Sequence, residues 1–143
     1  MKILIVDDEE LQCELLKGFL EKQGYEVLAT SDPQEALRLF EEEPVWLVLL
    51  DQKMPGLSGQ ELLERLKRLN PEVRAIMITA YGAVDTAVEV MKLGADDFLE
   101  KPIDLEDLLA RIRRLEEEVA VAREVEEALE EAEEAPLPLD IVA

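Results

Sequence analysis

The chain of 143 residues contains no histidine and only one cysteine, Cys13. One cysteine cannot form an internal disulfide bond, and a chain without histidine lacks the usual zinc ligands and the most common general base. Because helix-like spacing follows Cys13, we interpret it as a core or surface thiol rather than a nucleophile. These absences exclude the common zinc and histidine-dependent enzymes and favour a reducing, cytoplasmic setting.

Basic residues are also scarce, with 15 Lys and Arg against 35 Asp and Glu, for a net charge of −20. Such a charge repels nucleic acid and anionic lipid, so we predict no direct contact with nucleic acid by this chain. No apolar run reaches the roughly 18 residues that span a bilayer, and residues 1–8 lack the pattern of a secretory signal. We therefore expect a cytoplasmic protein that does not enter membranes.

Short apolar runs alternate with amphipathic stretches, a pattern typical of βα units around a parallel sheet. Strands are predicted at residues 2–6, 25–29, 45–50, 73–78 and 96–100. The first, third and fourth are continuous apolar runs and are predicted to be central, whereas the second and fifth are predicted to be edges. The sequence thus predicts an α/β fold with a doubly wound, five-stranded parallel sheet.

Polar side chains stand where the predicted strands end. Asp7 and Asp8 follow the first strand, Asp51 the third, Thr79 the fourth and Lys101 the fifth. In an open parallel sheet, ligands bind outside the carboxyl ends of the strands. We therefore expect three carboxylates, one hydroxyl and one ammonium group to converge at this edge.

Each of these residues also has a simpler interpretation. Asp8 could cap the following helix, Thr79 could be an ordinary residue at a strand end, and Lys101 could be a solvated lysine. Asp51 is harder to explain in this way, because it ends the apolar run VWLVLL and loses solvation with no base before Lys53. The set as a whole therefore indicates a functional site.

Three carboxylates about 5 Å apart repel one another by roughly 3 kcal/mol per pair at an effective dielectric constant near 20. The repulsion can be offset by protonation of a carboxyl group or by a hard divalent cation. Mg²⁺ suits oxygen ligands better than zinc does, and Mg²⁺ commonly binds phosphate oxygens as well. A carboxylate can itself accept a phosphoryl group, so the set is compatible with formation of an aspartyl phosphate.

The sequence resembles the receiver domain of two-component response regulators over residues 1 to about 115. The resemblance is carried, in order along the chain, by IVDDEE (5–10), LLDQKMPGLSG (49–59), ITAYG (78–82) and DDFLEKPID (96–104). It implies a flavodoxin-like sheet with strand order 2-1-3-4-5. It also implies a phosphorylation-controlled switch rather than a turnover enzyme.

The resemblance assigns roles to individual residues. Asp51 would accept the phosphoryl group from a histidine kinase, with Mg²⁺ held by Asp7, Asp8, Asp51 and the backbone carbonyl of Lys53. Two alternatives remain from other classes: a dimerisation adaptor that is never phosphorylated, and a magnesium-dependent phosphohydrolase with an aspartyl nucleophile.

The remaining implied roles concern phosphoryl binding and switching. Thr79 and Lys101 would bind the phosphoryl group, and the Lys101-Pro102 peptide bond would be cis. Thr79 and Phe98 would form the switch, with the hydroxyl moving toward the phosphoryl group and the ring filling the vacated space. Phe98 could instead be an ordinary aromatic residue of an edge strand.

The fifth helix is predicted to continue far beyond the receiver, because no Gly or Pro occurs between Asp104 and Ala132. An apolar stripe recurs along it at steps of three and four residues: Leu108, Ile112, Leu115, Val119, Ala122, Val125, Leu129 and Ala132. The stripe favours a two-stranded coiled coil, and hence a homodimer, over a solvated single helix. Ten acids and one base in residues 116–134 would weaken such a dimer at low salt.

We therefore predict a receiver domain at 1–115, a helical linker at 116–135 and a tail at 136–143 that leads to an output domain. The stretch AVDTAVEVMKLGADDFLEKP after TAYG most resembles receivers of the NtrC family. In that family a receiver and a helical linker precede an AAA+ ATPase and a DNA-binding domain. The resemblance implies a regulator of transcription.

Overall fold

The computed structural model describes residues 1–52, 54, 56–80 and 84–134, without the side chains of 84–87 and 134. The chain forms two compact units, Met1–Leu109 and Ala110–Ala143. The first unit contains a five-stranded parallel sheet in the order β2-β1-β3-β4-β5. The strands are β1 (Lys2–Val6), β2 (Glu26–Thr30), β3 (Val45–Asp51), β4 (Arg74–Thr79) and β5 (Asp97–Glu100). The predicted fold class and strand order are confirmed.

Helices connect the strands, and their starts follow the capping signals of the sequence. They are α1 (Glu10–Lys22), α2 (Pro33–Glu42), α3 (Gly59–Leu69), α4 (Val84–Lys92) and α5 (Leu105–Glu134). Asp32 accepts a hydrogen bond from the Gln34 N–H at 2.9 Å, and Ser58 accepts one from the Glu61 N–H at 3.2 Å. These bonds satisfy helix N–H groups that otherwise lack partners.

The sheet is buried on both faces because its central strands are continuous apolar runs. Alternate residues of these strands contribute to one cluster with side chains from α2, α3 and α4, and the cluster includes Leu4, Val48, Leu50, Met77, Ala36, Phe40, Leu62, Leu66 and Val90. The intervening strand residues, such as Ile5, Leu49 and Ile76, are buried as well. This packing holds the carboxyl ends of β1, β3 and β4 rigidly side by side.

Three strands end one residue later than predicted, at Thr30, Asp51 and Thr79, and β2, β4 and β5 each begin one residue later. β3 ends at Asp51 and β4 at Thr79, so both residues belong to the sheet rather than following it. The ladder continues this far because Asp51 pairs with Ile78 and Thr79 with Glu100. The backbones of Asp51 and Thr79 are therefore fixed by the sheet. As the resemblance implied, the Lys101-Pro102 bond is cis.

Helix α5 comprises 30 residues and is continuous through Glu134, which confirms the predicted long fifth helix. In the second unit, the large apolar side chains of Val121, Val125 and Leu129 are exposed. Their spacing of four residues places them along one side of the helix. The predicted tail at 136–143 lies outside the described residues. No helix in the described part of the chain combines the length and apolarity needed to cross a membrane.

Candidate functional site

Three carboxylates meet at the carboxyl ends of β1 and β3. Val6 pairs with Leu50, so the next residues, Asp7 and Asp51, lie side by side at the carboxyl edge of the sheet. One oxygen from each of Asp7, Asp8 and Asp51 lies within 4.8 Å of the others. Asp7 and Asp51 are only 2% and 5% exposed, whereas Asp8 is exposed to solvent. The site is thus a small acidic pocket in which two carboxylates are buried and the third is exposed to solvent.

Lys101 brings a positive charge into this pocket. Its Nζ lies 3.5 Å from Asp51 Oδ2 and 3.9 Å from Asp7 Oδ2. Its backbone N–H donates to the Thr79 carbonyl at 2.7 Å, which ties the residue to the end of β4. Burial acts to lower the pKa of Lys101, but the neighbouring carboxylates raise it above its ordinary value. The side chain is therefore a charged ammonium group at neutral pH.

Asp7 is held in one orientation by three hydrogen bonds. Its N–H donates to the Thr30 carbonyl at 3.2 Å, its Oδ1 accepts from the Glu9 N–H at 2.9 Å, and its carbonyl accepts from Cys13 Sγ at 3.3 Å. Asp7 Oδ2 is buried and has no hydrogen-bond partner. Burial raises the pKa of Asp7, although the Glu9 N–H and Lys101 act to lower it. A carboxylate oxygen in this situation needs either a proton or a cation.

The chemistry of the donor set fits a hard divalent cation. At 4.8 Å and an effective dielectric constant near 20, each pair of ionised carboxylates repels by about 3 kcal/mol, and one ammonium group offsets only part of the total. Carboxylate oxygens are the ligands that Mg²⁺ and Ca²⁺ prefer. Asp7 Oδ2, which accepts no hydrogen bond, would be satisfied by such an ion. The Lys53 carbonyl, predicted as a further ligand, lies outside the described residues.

The structure decides between the two interpretations of Asp8. Helix α1 begins at Glu10 and its N-cap residue is Glu9, whose side chain makes no capping hydrogen bond. The interpretation of Asp8 as the cap of this helix is therefore wrong. Asp8 instead presents a carboxylate oxygen to the cluster formed with Asp7 and Asp51.

Thr79 and Phe98 lie on neighbouring strands at the same edge of the site. Thr79 is the last residue of β4 and is 4% exposed. Phe98 pairs with Met77, two residues before Thr79 on the same strand, and packs partly buried against the core cluster. Because side chains alternate along a strand, the Thr79 and Phe98 side chains lie on the same face of the sheet.

The structure also identifies three neighbours of the site that the sequence interpretation missed. Gly59, at the start of α3, packs directly on the Asp51 backbone: a Cβ there would lie 2.1 Å from the Asp51 carbonyl oxygen. Glu9 Oε1 lies 3.7 Å from Lys101 Nζ. Cys13 is buried, and burial raises the pKa of its thiol to about 11, so it stays protonated and donates to the Asp7 carbonyl. Only the glycine left a signal in the sequence, since a glycine directly after a good N-cap serine is not needed for the helix itself.

Replacement of Asp7 by Asn is expected to stabilise the protein in the absence of divalent ions. Because the folded-state pKa of Asp7 lies above its unfolded value, its ionisation destabilises the fold, and this effect grows as the pH rises through the folded-state pKa. At neutral pH we expect Asp7→Asn to raise the free energy of unfolding by about 1–2 kcal/mol. The variant no longer buries an ionised carboxylate and no longer repels Asp8, and these gains outweigh the lost attraction to Lys101. Urea denaturation with and without MgCl₂ measures the change.

The same titration tests cation binding. Wild type should gain stability on addition of Mg²⁺, and Asp7→Asn should gain little. Asp32→Asn is the matched control, because Asp32 caps α2 and Asn caps a helix equally well. A wild-type protein that gains nothing from Mg²⁺, or an Asp7→Asn protein that is less stable than wild type without it, would contradict the electrostatic account of the pocket.

Comparisons with known proteins agree with these observations. The model of the response regulator receiver domain family matches residues 3–113. Transcriptional regulatory protein ZraR of Escherichia coli (strain K12) is 38% identical over 112 residues, covering 78% of this chain and 25% of ZraR. Response regulator protein PilR of Pseudomonas aeruginosa is 40% identical over 136 residues, covering 95% of this chain and 28% of PilR.

Solved structures give the same result. The crystal structure of NtrX from Brucella abortus matches with a TM-score of 0.83 and 35% sequence identity, covering 89% of this chain and 29% of the NtrX chain. The chain thus spans about a quarter of the length of ZraR and PilR.

Proposed function

The chain belongs to the response regulator receiver domain family, and from this premise we propose that Asp51 accepts a phosphoryl group from a histidine kinase in the presence of Mg²⁺. The observation that carries the proposal is the pocket itself. A buried carboxylate, Asp51, stands beside one ammonium group and two further carboxylates, one of which has a buried oxygen that accepts no hydrogen bond. The chain acts as a switch that holds one phosphoryl group, not as an enzyme with turnover.

The proposed transfer uses groups that are already in position. The Asp51 carboxylate forms the new bond to phosphorus while the bond from phosphorus to the kinase imidazole breaks, and the imidazole leaves with the electron pair. Lys101 lies against the acceptor oxygen and neutralises charge on the arriving phosphoryl group. Mg²⁺, held by Asp7, Asp8 and Asp51, would supply further positive charge at the phosphoryl oxygens.

We propose that Thr79 and Phe98 report the phosphorylation state. The Thr79 hydroxyl lies at the end of β4, within the same edge as the acceptor, and would hydrogen-bond the phosphoryl group once it has arrived. Phe98 is only partly buried and lies on the same face, so its ring could fill space that the threonine leaves. The readout of this movement by another surface or domain is what makes the module a switch.

The test uses a small phosphodonor with saturating Mg²⁺ and intact-mass spectrometry of the protein. One added phosphoryl group per chain that requires Mg²⁺ supports the switch. Rapid consumption of many donor molecules per chain would favour the phosphohydrolase alternative, and no adduct would favour the unphosphorylated adaptor. Either of the last two outcomes overturns the proposal.

We further propose that the receiver regulates an attached output domain that activates transcription. Support comes from the relatives: ZraR, PilR and NtrX are NtrC-family regulators, and PilR matches almost the full length of this chain. By resemblance to that family, the output region is an AAA+ ATPase followed by a DNA-binding domain. With its net charge of −20, the present chain would regulate that region without touching DNA itself.

We propose that the distal part of α5 forms a homodimer as a two-stranded coiled coil. Val121, Val125 and Leu129 are all more than half exposed, which leaves an apolar side of the helix open to solvent. A second copy of the same helix offers an identical stripe, and pairing the two stripes removes both from water. Like charge on residues 116–134 opposes the association, so the dimer should tighten as salt rises.

The double substitution Val125→Ser and Leu129→Ser is expected to weaken the dimer at least tenfold, because the loss of several buried methyl groups costs more than the roughly 1.4 kcal/mol that a factor of ten requires. Sedimentation equilibrium at low and high salt measures the dissociation constant. Ala120→Ser, an exposed position on the opposite side of α5, is the control and should change little. Equal association of wild type and the double variant would refute the coiled coil.

A further inference from the structure

Glu9 places a carboxylate on the solvent side of Lys101. Its Oε1 lies 3.7 Å from Nζ, about as near as the Asp51 and Asp7 oxygens at 3.5 and 3.9 Å. The side chains of Asp7 and Asp51 are buried, whereas that of Glu9 is 66% exposed. Lys101 is therefore shared between two carboxylates of the proposed acceptor site and one that faces the bulk solvent.

The position of Glu9 is set by its backbone and not by a capping role. Its N–H donates to Asp7 Oδ1 at 2.9 Å, and its carbonyl accepts from the Cys13 N–H at 3.1 Å. Although Glu9 is the N-cap residue of α1, its side chain makes no hydrogen bond to the helix. These backbone hydrogen bonds hold Glu9 at a position from which its carboxylate reaches Lys101.

We propose that Glu9 is a specificity-determining residue that disfavours small, doubly charged phosphodonors relative to singly charged ones. The inference rests on the proposed phosphoryl transfer to Asp51. A donor must bring its phosphoryl group to the ammonium group of Lys101, and the Glu9 carboxylate lies 3.7 Å from that group. Glu9 repels the donor in proportion to the charge that the donor carries.

The expected size of the effect follows from Coulomb's law in a solvated, screened setting. For a dianionic donor within several ångströms, removal of one negative charge should raise the transfer rate about three- to tenfold. For a monoanionic donor the same removal should raise it only about two- to threefold. The effect of Glu9 is therefore measured by the ratio of the transfer rate from the dianionic donor to that from the monoanionic donor. A change that alters both rates equally cancels from this ratio.

Glu9 takes no part in the bond changes. The Asp51 oxygen forms the new bond to phosphorus while the bridging P–O bond of acetyl phosphate, or the P–N bond of phosphoramidate, breaks. The electron pair leaves with acetate or with ammonia, whose nitrogen is already protonated in the donor. No bond to Glu9 forms or breaks, so its proposed effect is one of charge alone.

The test compares wild type, Glu9→Gln and Glu10→Gln. Acetyl phosphate carries two negative charges at neutral pH and phosphoramidate carries one, and the rate with each is followed by intact mass at saturating Mg²⁺. In Glu9→Gln the rate ratio of acetyl phosphate to phosphoramidate should rise by about threefold, and the rise should shrink in 1 M KCl, where the screening length is about 3 Å. Glu10 is an exposed acid in the first turn of α1. Glu10→Gln removes the same charge from the next residue of the chain, and the ratio of the acetyl phosphate rate to the phosphoramidate rate should stay nearly unchanged.

A second readout does not depend on phosphoryl transfer. Calorimetric titration of the unphosphorylated proteins with Mg²⁺ should show about two- to threefold weaker binding for Glu9→Gln than for wild type, and a smaller change for Glu10→Gln. An unchanged rate ratio in Glu9→Gln, an equal rise in both variants, or equal Mg²⁺ affinities would overturn the role of Glu9. If wild type accepts no phosphoryl group from either donor, the proposed function fails first, and the inference falls with it.

Discussion

Asp51→Asn is expected to abolish covalent phosphorylation of the chain. The amide has no ionised oxygen to attack phosphorus. Asp51 Oδ2 lies 3.5 Å from Lys101 Nζ, against 3.7 Å for Glu9 Oε1 and 3.9 Å for Asp7 Oδ2. Intact-mass spectrometry after incubation with acetyl phosphate and Mg²⁺ should show one phosphoryl group on wild type and none on the variant. Because the substitution removes the oxygen that attacks phosphorus, the rate of phosphorylation should fall below detection.

The loss should occur in a protein that is still folded. Asp51→Asn removes one charge from a repulsive cluster, so its stability without Mg²⁺ should equal or exceed that of wild type. Asp104→Asn is the control for the chemical change, because Asp104 caps α5 through hydrogen bonds to the Glu106 and Asp107 N–H groups, which Asn can also accept. Phosphorylation that persists at another residue of folded Asp51→Asn would show that the acceptor has been assigned wrongly.

Gly59→Ala is expected to slow phosphorylation at least tenfold and to lower the free energy of unfolding by about 2–3 kcal/mol. The new methyl group would lie 2.1 Å from the Asp51 carbonyl oxygen and 3.0 Å from both the Asp51 carbonyl carbon and the Gln52 Cα. All three are backbone atoms, so no side-chain rotation relieves the overlap. Either α3 or the acceptor strand must shift.

The shift should be felt at the acceptor because the two elements are tied together. The Gly59 N–H donates to the Gln52 carbonyl at 3.0 Å, and the Gln52 N–H donates to the Ile78 carbonyl at 2.9 Å. Displacement of α3 therefore pulls on the residue next to Asp51. When a reaction depends on the positioning of the reacting groups, a displacement of about 1 Å lowers its rate by a large factor.

Gly18→Ala is the matched control, since Gly18 lies within α1 and a Cβ there would meet no atom within 4 Å. In a helix interior the change from Gly to Ala adds up to about 1 kcal/mol of stability, so Gly18→Ala should be more stable and equally active. Rates for both variants are measured by intact mass on the folded proteins, and stability by urea denaturation. Wild-type kinetics in Gly59→Ala would contradict a positioning role for the glycine.

Most of the architecture follows from patterns in the sequence. Three uninterrupted apolar runs required strands buried on both faces, and the amphipathic stretches between them required helices that cover those faces. Parallel strands then place their carboxyl ends at one edge, so Asp7, Asp8 and Asp51 could be expected to meet before any coordinates were known. The order of the strands came from the resemblance, and the structure confirms it.

Tertiary structure alone decided how the site is surrounded. Three contacts around the site depend on the path of the backbone at a turn or at the start of a helix. They are the ion pair of Glu9 with Lys101, the contact of Gly59 with the Asp51 backbone and the hydrogen bond from Cys13 to Asp7. Local patterns cannot predict such contacts, because periodicity specifies which face a residue occupies and not which atom it meets across the pocket. The exposed side of α5 is a similar case. The apolar repeat predicted a stripe through Val125 and Leu129, but only the fold shows that both side chains are exposed, together with Val121, which the predicted stripe did not include.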